Sequence, residues 1–194
     1  MNSNRLLLTA LGVMFCSGCT SPQETPPPPE ESDKEPTEGT GSVKVQLKKL
    51  GAAVEVNEQG EIVRVDLSDT QITDAGLVHL KGLTSLHTLE LDKARITNAG
   101  LVHLKGLTSL RTLGLNQTRI TDAGLVHLAG LTSLETLSLT ITQITDAGLV
   151  HLKELTSLHM LYLNDTQITD AGVAKLKETL PECDVVHSFD IPLR

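Results

Sequence analysis

From Ile72 to Gly82 the chain reads ITDAGLVHLKG. The phrase returns as ITNAGLVHLKG at 96–106, ITDAGLVHLAG at 120–130, ITDAGLVHLKE at 144–154 and ITDAGVAKLKE at 168–178. Near-identity at a fixed spacing limits the fold severely, because every copy must take the same local shape and meet its neighbours in the same way. Full units run LTSLHTLELDKARITNAGLVHLKG (83–106), LTSLRTLGLNQTRITDAGLVHLAG (107–130), LTSLETLSLTITQITDAGLVHLKE (131–154) and LTSLHMLYLNDTQITDAGVAKLKE (155–178), a period of 24 residues. A leading copy without the LTSL opening covers about 59–82.

The residues of one unit predict its shape. In 83–106, Leu89 and Leu91 alternate with Glu90, a strand with one face turned inward. Leu101 and Leu104 fall three apart, on one face of a short helix, and Ile96 bridges the two elements. Thr97, in preference to Asn98, is expected to cap that helix, and Gly106 to take a left-handed C′ position. The recurring glycines Gly76, Gly100, Gly124, Gly148 and Gly172 suggest close approach of helix to sheet. Thr70, Thr118, Thr142 and Thr166, interrupted by Ala94, are expected to bond turn backbone through their hydroxyls. A lone unit cannot fold, since fixing its backbone costs as much as its few aliphatic side chains contribute. Stacked units cover one another and align their strands in a parallel sheet. Helices need ~8–10 Å each against ~4.8 Å for strands, so the stack should curve with the strands inside. A virtual lack of aromatics (no Trp, one Tyr, two Phe) suits a core made of many small equivalent layers.

The 24-residue spacing and the LxxLxLxxTxIT pattern resemble leucine-rich repeats over roughly residues 59–188. The ribonuclease-inhibitor-like and F-box-associated repeat classes are the most similar, together with bacterial leucine-rich repeat lipoproteins. The resemblance implies an α/β, right-handed solenoid, with a short curved parallel sheet on its concave face and short helices on its convex face. Segments 42–61 and 179–194 read as end caps around five repeats at 62–178: a helix and hairpin strand first, an irregular strand half and tail last. Placing Leu180 where Leu155 stands puts Cys183 in the place of Leu158, as a buried cap residue. Asp184, Asp190 and Pro192 are expected to blunt the open edge.

Ahead of the caps, Arg5 precedes the apolar run LLLTALGVMF (6–15), about half the ~20 residues that span a bilayer. A secretory signal fits it better than a transmembrane helix. Ser17-Gly18-Cys19 resembles a bacterial lipobox, with Cys16 where an aliphatic residue is usual. The resemblance implies a signal peptide at 1–18 and lipidation of Cys19; simple secretion is the alternative. Residues 19–41 then read as a disordered Pro/Glu-rich tether, because 20–42 hold six of the eight prolines and no aliphatic residue. An extracytoplasmic, lipid-anchored location is expected. Thr20 after the modified cysteine resembles the signal for the outer rather than the inner membrane.

A net charge of −8 with no basic stripe argues against nucleic acid. The chain shows no G-x-S-x-G, P-loop or H-E-x-x-H motif, so no enzyme activity and no cofactor are expected. His79, His103, His127 and His151 form a column with Lys175 at its end. On the helical projection they flank the inward face, expected to pack beside the next helix near Lys81, Lys105 or Lys153. Such spacing does not converge imidazoles on one ion, so no metal site is predicted. Function is placed on the concave sheet, where Arg64, Asp66, Glu90, Asp92, Asn116, Met160, Tyr162 and Asn164 vary over a constant frame. Arg95, Arg111 and Arg119 are expected to border it. These observations suggest a monomeric, lipid-anchored module that binds a protein or peptide. The alternatives are a structural cell-envelope protein, or an intracellular adaptor of the ubiquitin-ligase substrate-binding type should the start not be a signal.

Overall fold

The computed structural model describes residues 40–188. The signal segment, Cys16, Cys19, the tether up to residue 39, Asp190 and Pro192 lie outside the described residues. A first helix, α1 (Thr40–Lys49), leads into a hairpin of β1 (Ala53–Val56) and β2 (Ile62–Asp66). Five short strands follow: β3 (Thr88–Glu90), β4 (Thr112–Gly114), β5 (Thr136–Ser138), β6 (Met160–Tyr162) and β7 (Asp184–Val186). Sheet order is the chain order, and every pair from β2 to β7 is parallel. Leu89 pairs with Leu113, Leu113 with Leu137 and Leu137 with Leu161, and each of these leucines is fully buried. The aliphatic file expected from the repeat is therefore present, and the whole core lies between Val43 and Val185.

The helical halves are slighter than the periodicity suggests. Asp74–Leu80, Gly100–Leu104 and Gly148–His151 are 3-10 turns, and only α2 (Asp122–Leu125) and α3 (Asp170–Lys177) are α-helical. Gly106 is not in the left-handed region; of the glycines closing the repeats, Gly82 alone has a positive φ, at 84°. Lys105 before Gly106 is still right-handed, and the chain goes on into the next turn through the Leu107 N–H to the Leu104 carbonyl. The repeat does not need a left-handed exit there, which is why Glu154 stands at the equivalent place.

Left-handed residues occur instead at the strand exits. Asp69, Lys93, Gln117, Ile141 and Asp165 have φ of 54–58°. In the first four, this turn aims the backbone N–H at a carbonyl of the following layer, as from Gln117 to Thr140 (2.9 Å) and from Ile141 to Asn164 (2.9 Å). Ile141 is both β-branched and 47% exposed, so it bears the strain of this conformation with little burial in return. Ile141→Asn is expected to raise stability by about 1 kcal/mol, read as a higher urea midpoint with unchanged slope.

The glycine column also has a different cause from the expected one. Thr97 donates its N–H to Asp74 Oδ1 and its hydroxyl to Asp74 Oδ2, both at 2.7 Å, across 23 residues of sequence. Asp122 grips Thr145 and Asp146 grips Thr169 in the same way, while Asn98 accepts the Thr121 N–H on Oδ1 and donates its Nδ2 to the Thr121 hydroxyl. A Cβ on Gly100, Gly124, Gly148 or Gly172 would collide with that Asp or Asn oxygen of the preceding layer. What approaches the glycine is a neighbouring side chain, not the sheet. Thr97 is thereby drawn into an interlayer clasp, and its hydroxyl also accepts the Ala99 N–H at 3.3 Å. A helix N-cap of the expected kind is made by Thr169, which accepts the Gly172 N–H at 3.1 Å.

The threonine column behaves as expected: Thr70, Thr118, Thr142 and Thr166 each donate a hydroxyl to the leucine carbonyl three residues earlier. At the far end, the Cys183 N–H reaches the Leu180 carbonyl as Leu158 reaches Leu155. Val185 nonetheless pairs with Leu161, so the cap has one residue fewer between Cys183 and its strand than a full repeat has. Cys183 is 2% exposed, and burial pushes its thiol up to about 11, which leaves it protonated and unreactive.

Candidate functional site

The outer face of the sheet presents three columns. Arg64, Thr88, Thr112, Thr136 and Met160 stand in register, and beside them Asp66, Glu90, Gly114, Ser138 and Tyr162. Ser68, Asp92, Asn116, Thr140 and Asn164 follow at the strand exits. The eight candidates named from the sequence are all half-buried and all lie on this one face.

They do not all remain available to a partner. Asp92 accepts the Asn116 backbone N–H at 2.9 Å and its amide Nδ2 at 2.8 Å, and Asn116 Oδ1 accepts the Thr140 N–H at 2.8 Å. Asp66 Oδ1 accepts the Ser68 N–H at 2.9 Å. These three side chains are rungs between and within layers. Arg64, Glu90, Met160 and Tyr162 supply the more adaptable chemistry. The arginines do not form one border: Arg111 precedes β4 and pairs with Glu135 at 3.4 Å, whereas Arg95 and Arg119 lie past the strand exits in bridges to Thr73 and Thr97.

Gly114 makes a notch in the middle of the face. Without a side chain there, the Glu90 carboxylate leans across it; a Cβ would meet Glu90 Oε2 and Asp92 Oδ1. Burial and then the Asp92 charge raise the Glu90 pKa above its usual value, with Arg64 opposing and Asp66 adding to the rise. A carboxyl raised in the fold contributes stability below its ordinary 4.5 and loses it as pH climbs through the raised value. Glu90→Gln is therefore expected to melt higher than the parent at neutral pH. The gap should close below pH 4.5, where Glu90 is protonated folded and unfolded, and scans at several pH values check this.

Along the sheet, the acidic end (Asp66, Glu90, Asp92) and the apolar end (Met160, Tyr162) are separated by small side chains: Thr112, Gly114, Thr136 and Ser138. Three strand steps lie between Glu90 and Tyr162, ~14 Å at ~4.8 Å each. The histidine column, His79, His103, His127 and His151, stands elsewhere, half-buried in the helical halves. Burial, and then Lys105 in the preceding layer, lower the His127 pKa. Among the described residues no three His, Cys, Asp or Glu side chains converge as a metal set would. Sequence reasoning missed the Asp–Thr clasp and the Asp92–Asn116 rungs. The signal for the clasp was present, since an Asp or Asn follows the IT that opens each repeated phrase, and after the first four of these a Thr stands 23 residues later.

Residues 108–154 match the family described as Leucine Rich repeats (2 copies), and residues 62–80 and 154–177 match Leucine Rich repeat. This chain is a leucine-rich repeat protein. A solved structure similar to it is an internalin of Listeria monocytogenes, at 24% identity and TM-score 0.57, over 80% of this chain and 39% of the internalin. A leucine-rich repeat protein of Leptospira interrogans is similar over 64% of this chain and 36% of its own, at 21% identity and TM-score 0.46. The leucine-rich repeat ectodomain of the Arabidopsis receptor kinase HAESA, solved with a peptide hormone, matches at 16% identity and TM-score 0.49, over 76% and 32%. The chain thus spans less than half the length of each of these structures. No curated protein matches the sequence. Leucine-rich repeat domains commonly serve to bind proteins.

Proposed function

We propose that this chain is a lipid-anchored, extracytoplasmic module that binds an extended protein segment across its concave sheet. The carrying observation is the division of that face. A half-buried carboxylate, Glu90, leans over a notch at Gly114, and Tyr162 with Met160 stands ~14 Å away across a row of small residues. This arrangement favours a segment with a cationic side chain at one end and an apolar one about four residues on, at ~3.3 Å per extended residue. Tyr162 is the aromatic of the face and its natural anchor. The anchor reading draws on residues 6–19: an apolar run followed by Cys19 and a Pro/Glu-rich stretch that would hold the domain away from a bilayer. Both preferences, cationic and apolar, follow from this chain's own Glu90 and Tyr162 rather than from any ligand of a similar fold.

A pull-down from the source cell's envelope fraction, with wild type and Glu90→Gln/Tyr162→Ala, tests the binding surface. The double variant is expected to lose at least about tenfold in recovery of the wild-type partner, as removal of a hot-spot pair should. Equal recovery would remove the sheet face from the account. Intact mass of the mature protein tests the anchor: loss of residues 1–18 with added acyl mass on Cys19 is expected.

A further inference from the structure

We propose that Ile141 is a further contact of the sheet-face site, placed to receive a second aliphatic side chain of the bound segment. This assignment rests on the proposed binding across the sheet and adds to it a residue and a requirement on the partner.

The fold requires a left-handed residue at each strand exit, but it does not require isoleucine there. Asp69, Lys93, Gln117 and Asp165 make the same turn with φ of 54–58°, and all four are polar and unbranched at Cβ. Ile141 takes φ of 56°, a conformation that a β-branched side chain resists. Its N–H reaches the Asn164 carbonyl at 2.9 Å, as the Gln117 N–H reaches that of Thr140, so the interlayer bond forms with either kind of residue. The Ile141 side chain is 47% exposed and stands outside the hydrophobic core. One copy of the repeat therefore keeps a strained backbone and an apolar side chain in water, where the other four use polar residues. Backbone strain of this kind gathers at ligand clamps, and the exposed side chain supplies the means of contact.

The place of Ile141 along the sheet says what it touches. The five exit residues form an exposed rim beside the outer face, one per layer at ~4.8 Å spacing. Toward the acidic end the rim carries Asp69 and Lys93, joined at 2.8 Å. Ile141 lies toward the apolar end: Ser138 pairs with Tyr162, and Ile141 stands three residues beyond Ser138. Ile141, Met160 and Tyr162 thus gather on two adjoining layers, while Asp66, Glu90 and Asp92 belong to the layers of β2 and β3. A segment anchored on Tyr162 meets Ile141 with a side chain about three residues away, at ~3.3 Å per extended residue. Gln117 and Asp165 flank Ile141 on the rim and offer it no apolar company, so a single aliphatic side chain fits there and a charged one is disfavoured.

The test uses the full chain, immobilised, and a random dodecapeptide library displayed on phage. Peptides enriched on the wild type are synthesised, and their affinities are measured for wild type, Ile141→Asn, Ile141→Leu and Glu90→Gln/Tyr162→Ala. Two aliphatic residues about three places apart are expected in the enriched sequences. Ile141→Asn should weaken these peptides about tenfold, the scale of one lost apolar contact, while Ile141→Leu keeps the contact and binds as the wild type does. The urea midpoint of Ile141→Asn should rise, so a damaged fold cannot account for its lost affinity. Equal affinity for wild type and Ile141→Asn overturns the assignment. If Glu90→Gln/Tyr162→Ala still weakens the same peptides, the sheet-face reading outlives it. Loss in Ile141→Asn with none in Glu90→Gln/Tyr162→Ala supports the Ile141 contact and removes the sheet face instead. A library from which nothing is enriched overturns both.

Discussion

Leu137→Ala is expected to lower the unfolding free energy by about 3–4 kcal/mol, within the range for truncating a fully buried leucine. Leu137 is the middle member of the dry file, paired with Leu113 on one side and Leu161 on the other. A solenoid holds together through nearest-neighbour contacts, so a cavity in a central layer also weakens communication between the two ends. Urea titration checks this, and a loss below about 1 kcal/mol would show that the layer collapses around the void or was never tightly packed. Val185→Ala, in the half-buried cap strand, serves as the comparison and should cost clearly less.

The second large effect lies in the interlayer clasp. Asp122→Ala removes the acceptor for both the Thr145 N–H (2.8 Å) and its hydroxyl (2.7 Å), and is expected to cost about 1–3 kcal/mol. Gly148→Ala drives a methyl into the same Asp122 carboxylate and is expected to cost a similar amount. The two losses should not add, because the new methyl has room once the carboxylate is gone. The double variant should fall within about 1 kcal/mol of Asp122→Ala alone, and simple additivity would refute the clasp. Asp170 provides an internal control. It ends the Asp column with its side chain 87% exposed, so Asp170→Ala should change stability by no more than about 0.5 kcal/mol.

Much of the site was readable because strand alternation is a local property. Once Leu89 and Leu91 point inward, Glu90 must point outward, and the same rule placed Arg64, Met160 and Tyr162 on one face. What alternation could not say is which of those side chains the protein uses for itself. Asp92 and Asn116 looked as available as Glu90. They serve as rungs because the parallel register brings residues 24 apart within hydrogen-bond distance. Nor could composition reveal the notch at Gly114, since its meaning comes from the Glu90 side chain folded over it from the next strand.

The repeat by itself determined the layered fold, the order of the sheet and the identity of the buried file. Twenty-four-residue copies with the same apolar positions have one efficient way to cover one another. Tertiary structure decided what the small and polar columns are for. The glycines leave room for a carboxylate from the layer before, the threonines after each isoleucine answer it, and the strand exits turn left-handed without glycine to reach the layer after. A single unit holds only half of each of these interactions, and the other half arrives when the next copy is laid against it.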